Sequence, residues 1–146
     1  MVKRSTLVVP LLAMLLGGAA VAEQSGSGVT VMLEPQHGSK IGGEATIVHG
    51  VSPKTAIVTI TLDGVFIPET QYPAGIYRGA CAAITPRLKP LYELTAVQGG
   101  RSTTTLKART PIPGTYVIAV WDPKMAKTMS CGGGPLGGSP QGQPIT

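Results

Sequence analysis

Apolar and polar residues alternate along most of this chain, with the two-residue period of strands that pack on one face. Val29, Val31 and Leu33 alternate with Thr30 and Met32. The clearest run is Thr55 to Leu62, which sets Ala56, Val58, Ile60 and Leu62 toward a core and Thr55, Thr59 and Thr61 away from it. Asp63-Gly64 follows it and predicts a hairpin-type turn. Tyr92, Leu94 and Ala96 alternate with Glu93 and Thr95, ahead of a turn at Gln98-Gly99-Gly100. Ser102 to Ala108 is rich in threonine and stops before the breaker Pro111-Ile112-Pro113-Gly114. Tyr116, Ile118 and Val120 then alternate with Val117, Ala119 and Trp121. No long window after residue 22 repeats apolar residues at helical spacing.

Short strands between Gly/Pro turns predict an all-β fold, an antiparallel Greek-key barrel or sandwich. Residues 29–133 have room for about seven or eight strands. No internal repeat is visible. Residues 23–28 form a short linker before this domain. From Gly132 the composition turns to Gly, Pro, Ser and Gln, so residues 134–146 are expected to be a disordered tail.

The first 22 residues change the picture of where the protein works. Lys3 and Arg4 precede the apolar run Leu7 to Leu16, and Ala20-Val21-Ala22 is a small-x-small cleavage pattern. The apolar run is shorter than the roughly 20 residues a membrane span needs. Residues 1–22 are therefore expected to be a signal peptide, giving an exported protein, periplasmic or secreted. Its contact with a membrane is then only transient, through that peptide. Removing Lys3 and Arg4 takes the basic residues from 12 to 10 against 7 acidic, a net charge of +3. Such a mild, scattered charge does not imply nucleic-acid binding. The two cysteines, Cys81 and Cys131, are read as one disulfide or, less naturally without CxxC spacing, as two metal-binding thiolates.

Four stretches, taken in order, carry a family resemblance. They are Tyr92-Glu93-Leu94-Thr95, Gly100-Arg101-Ser102-Thr103-Thr104-Thr105, Gly114-Thr115-Tyr116-Val117-Ile118-Ala119-Val120, and Cys131-Gly132. Together they resemble the exported copper/zinc superoxide dismutase-like proteins, with a related look in chordin-repeat (CHRD) domains. The resemblance spans about residues 29–133 and is clearest from Pro73 onward. It implies an eight-stranded Greek-key barrel and the pairing of Cys81 with Cys131.

The departures from that family shape the functional expectation. A His-x-His ahead of Gly and Cys is replaced by Gly75-Ile76-Tyr77-Arg78-Gly79-Ala80-Cys81, so Gly75 and Tyr77 stand at the histidine positions. Trp121 stands where a further copper-binding histidine ends its strand, and Thr128 where the dismutases place an arginine. None of these supplies an imidazole, so the resemblance implies a degenerate metal site, no cofactor and no enzyme. Were it an enzyme, it would be dismutase-like. His37 lies in the turn Gln36-His37-Gly38-Ser39 and His49 ends the next strand; with Met125 and Met129 they are the candidate ligands of a copper protein with atypical ligands. No nucleophile elbow, phosphate loop or carboxylate pair is present.

By strand parity Ile76, Ile118 and Val120 should face inward, and Gly75, Tyr77 and Trp121 should share the outer face. Two arrangements follow. Tyr77 and Trp121 form an exposed binding patch edged by Arg78 and Asp122, or the loop from Cys81 to Leu91 covers both rings as a second small core. The expected function is an exported, non-catalytic binding or structural module for an unknown protein or envelope/glycan ligand. A copper-binding protein or dismutase with atypical ligands, and a carbohydrate or envelope-polymer binder using the aromatic patch, are the alternatives.

Overall fold

The computed structural model describes residues 28–108, 112 and 114–135. The segments expected to be a signal peptide (1–22) and most of a linker (23–27), and residues 136–146 of the expected tail, lie outside the described residues. Eight strands follow in chain order: β1 Val29–Pro35, β2 Ile41–His49, β3 Ala56–Gly64, β4 Tyr72–Arg78, β5 Tyr92–Val97, β6 Arg101–Leu106, β7 Thr115–Trp121 and β8 Thr128–Pro135. One 3-10 turn, Cys81–Ala83, interrupts the loop between β4 and β5.

The strands form one antiparallel sheet in the order β5-β4-β7-β8-β1-β2-β3-β6. The connections from β3 to β4 and from β6 to β7 each pass over two strands, the Greek-key pattern. The sheet curls until its ends nearly meet. There, Gln98 in the turn after β5 bridges to Arg101 at the start of β6, and the Thr95 amide donates to the Thr104 hydroxyl at 2.8 Å. An inward threonine thus supplies one acceptor that a backbone ladder would otherwise give.

Alternation builds the interior. On β3, Ala56, Val58, Ile60 and Leu62 are buried, and they pack with Val31, Leu33, Ile47, Ile76, Ile118 and Val120 inside the barrel. β4 and β7 are buried on both of their faces. On their outer faces Tyr77, Val117, Ala119 and Trp121 gather with Cys131 into a second, smaller core, flanked by Cys81, Ile84 and Met125. The continuous apolar run from Tyr116 to Trp121 is the mark of a strand packed on two sides.

Two local expectations are corrected. Asp63-Gly64 makes no hairpin: β3 continues to Gly64 and pairs with β2 and β6, while the chain crosses to β4. Gly64 sits at φ 99 where a Cβ would strike the Lys40 carbonyl, so glycine is required there for packing against β2 rather than for a two-residue turn. β8 runs through Gly133 to Pro135, with Gly134 opposite Tyr116 and Pro135 opposite Thr115. A Cβ at Gly132 would lie 1.8 Å from the Met32 carbonyl, so this glycine run lets β8 close against β1. The turn at Gln98-Gly99-Gly100 is present, with positive φ at both glycines as a tight hairpin needs.

Cys81 and Cys131 form a disulfide with Cα atoms 5.9 Å apart and a sequence separation of 50. It ties the β4–β5 loop to β8. In the chain-entropy model, closing about 50 residues stabilises the fold by roughly 4 kcal/mol. Denaturant titration with and without reductant should therefore show a loss of about 2–4 kcal/mol on reduction. An unchanged midpoint would contradict this role.

Candidate functional site

The outer face of β4 and β7 is built around two rings. Tyr77 and Trp121 are 2% and 1% exposed, with ring centroids 6.0 Å apart and planes inclined by 63°. The Trp121 Nε1–H donates to the Tyr77 hydroxyl at 3.0 Å. The edge-to-face geometry suits the ring quadrupoles, and the hydrogen bond satisfies the buried indole. Gly75 makes the room: a Cβ there would lie 3.0 Å from the Tyr77 ring and 3.1 Å from Pro90.

The lid is the loop between β4 and β5. It is fastened by the disulfide at Cys81 and by the Leu91 amide, which donates to the Ile76 carbonyl at 2.7 Å. Ile84 packs onto the aromatic cluster. The turn after β7 closes the other side. Asp122 Oδ1 accepts from the Ala126 and Lys127 amides at 2.6 and 2.9 Å, and Met125 is held at φ 55. The Lys127 amide, helped by that of Ala126, holds the Asp122 carboxyl below the usual carboxylate range.

Of the two arrangements open to Tyr77 and Trp121, the structure has the covered one, so neither ring offers a free face on which a sugar could stack. Two of the expected edge residues have other positions. Arg78 turns to the opposite side of β4, where its guanidinium carbon lies 5.9 Å from the Tyr116 ring centroid. It has the parity of Ile76, not of Tyr77. Asp122 shapes the turn from 122 to 127 through its backbone bonds.

The rings are covered but not sealed. A cleft of about 530 Å³ opens between the β4–β5 edge and the covering loop. Its walls include Tyr77, Trp121, Met125, Arg87, Lys89 and Glu93. Pro73, Pro86 and Pro90 add apolar surface. Arg87 and Lys89 have no periodic pattern around them, which is why reading the sequence missed them. Only their place in the loop following Cys81 could have drawn attention to them.

The residues that the resemblance sets at copper-ligand positions do not fit that ion. Gly75 has no donor, Trp121 donates rather than accepts, and the Tyr77 oxygen already takes the indole hydrogen. Among the described residues no three or more His, Cys, Asp or Glu side chains cluster for a metal. His37 lies in the turn before β2 and His49 is the last residue of β2, at the other end of a strand about 26 Å long at strand rise. His37 Nδ1 lies 3.1 Å from both the carbonyl and the hydroxyl of Thr128. Met125 packs on the outer cluster and Met129 against the barrel interior. The four do not converge.

No protein-family model matches the chain, and no curated protein matches it. Among solved structures it is similar to a point mutant of superoxide dismutase 5 from Candida albicans. The TM-score is 0.50 and the identity 15%, over 82% of this chain and 97% of that one. At this identity the likeness is one of fold: an antiparallel, nearly closed barrel.

Burial raises the pKa of both buried phenols, Tyr77 on the outer face and Tyr116 in the barrel, above the ordinary tyrosine value of about 10. At Tyr77 the Trp121 hydrogen bond partly opposes burial and Glu93 adds to it, while at Tyr116 Arg78 opposes and Tyr92 adds. A raised folded-state value favours the protonated form, so its stabilisation is complete below about pH 10 and is lost as pH rises through the raised values. Denaturant midpoints should fall above about pH 10, less steeply for Tyr77→Phe. That variant should also lose about 1–3 kcal/mol at neutral pH, because the indole N–H is left unpaired. A neutral-pH stability equal to wild type would refute the hydrogen bond's role.

Proposed function

We propose that this chain is an exported, non-catalytic binding module, a superoxide dismutase-like barrel that offers a ligand cleft where such a barrel would carry a metal centre. The observation that carries the reading is the cleft itself. Its volume lies within the several-hundred Å³ range of small-molecule sites, and its lining combines prolines and Leu88 with Arg87, Lys89 and Glu93. The buried, hydrogen-bonded Tyr77–Trp121 pair beneath gives that lining a fixed support, which lowers the ordering cost of binding. Export rests on the signal-peptide pattern of residues 1–22. The Cys81–Cys131 bond supports it, because disulfides persist in oxidising compartments.

The chain contains one tryptophan, and it lines the cleft. Its emission therefore reports on occupancy directly. Titration with a panel of neutral and charged aromatic fragments should give a saturable change with at least one of them. Ala96→Phe, which fills the cleft from β5, should abolish that change while leaving the unliganded fold intact by circular dichroism. Emission indifferent to every fragment, or unaltered binding by Ala96→Phe, would reject the reading.

A further inference from the structure

Resting on that reading of the cleft, we infer that its ligand is a small organic monoanion, a carboxylate on an apolar body, bound through Arg87, Lys89 and the Tyr77 hydroxyl. Three independent features of the cleft converge on this chemistry.

The first is a buried donor with nothing to donate to. The Tyr77 hydroxyl, on a side chain only 2% exposed, accepts the Trp121 indole hydrogen. Its own hydrogen meets no acceptor among the described residues. A buried hydroxyl used only as an acceptor wastes one hydrogen bond, and a ligand oxygen would recover it. Burial holds the phenol protonated well beyond neutral pH, so the donor is always present.

The second is charge. Arg87 and Lys89 stand one residue apart in the covering loop, line the cleft and form no ion pair among the described residues. Glu93, on β5 opposite Gly75, lines the same cleft. Two cations against one carboxylate leave a single positive charge for the ligand to balance. That favours a monoanion over a phosphate dianion, whose second charge Glu93 would repel. A guanidinium also matches the two oxygens of a carboxylate in geometry.

The third is the remaining wall. Pro73, Pro86, Pro90 and Leu88 are apolar and, apart from Leu88, conformationally stiff. They give an apolar ligand body a surface to cover. Leu88 is 41% exposed, an apolar side chain left at the mouth of the cleft between the two cations.

The test compares 4-phenylbutyrate with its neutral amide, 4-phenylbutyramide, by Trp121 emission and calorimetry. The carboxylate should bind about tenfold more tightly. High salt should narrow that gap, because Arg87 and Lys89 are exposed. The double variant Arg87→Ala/Lys89→Ala changes only exposed loop side chains and should fold normally; it should reduce carboxylate affinity about tenfold and leave the amide unchanged. Tyr77→Phe should weaken the carboxylate selectively. Equal binding of acid and amide would overturn the inference while leaving the cleft a binding site. Failure of the acid to bind at all would also overturn it, and the neutral fragments of the broader panel would then decide whether the cleft reading falls with it.

Discussion

The covalent tie between Cys81 and Cys131 is the constraint on which the covered outer face of β4 and β7 depends. The barrel's own interior needs no such help, because alternating strands already bury it from inside. The outer face of β4 and β7 is different: it carries Tyr77, Val117, Ala119 and Trp121, which water would otherwise touch. The segment that covers them has one 3-10 turn and little apolar bulk. A loop so weakly built needs anchors to hold it in place, because ordering each residue costs on the order of 1–2 kcal/mol. The disulfide at one end and the Leu91–Ile76 backbone bond at the other supply them. The result is a second small core beside an open cleft.

Much of this was legible from residue order. Period-two patterning marked the strands around Thr55 to Leu62, Tyr92 to Ala96 and Tyr116 to Trp121, and the all-β class followed. The glycines of Gln98-Gly99-Gly100 announced their turn because positive φ there is a local requirement. What failed were signals whose meaning is non-local. Asp63-Gly64 looks like a hairpin from either side, and only the position of Lys40 shows that Gly64 serves close packing. The run Cys131 to Pro135 has a tail's composition, and only the Met32 carbonyl explains why a strand needs glycine at Gly132. Arg78 shares the strand parity of Ile76, which turns it away from Tyr77 and toward Tyr116.

The site shows the same division. Parity correctly brought Gly75, Tyr77 and Trp121 to one face, but it could not say whether a loop would cover them. Burial of an aromatic pair depends on what a remote, unpatterned segment does, and that segment is held by a bond to residue 131. Arg87 and Lys89 stayed hidden for the same reason, since exposed cations in a loop carry no periodic trace. The likeness to superoxide dismutase 5 extends to the barrel, while the chemistry of the outer face is this chain's own. Fold and site can part in this way because a barrel wall is set by its inward residues, and the outward ones are free to change.

The proposed reading is that this outer face carries a ligand cleft rather than a metal centre. The most direct measurement is the metal content of protein purified from its native compartment, followed by calorimetric titration with copper. The account predicts substoichiometric metal on isolation and no saturable, tight uptake, with Trp121 emission unchanged throughout. One tightly held copper per chain would contradict it, most plainly if binding quenched Trp121.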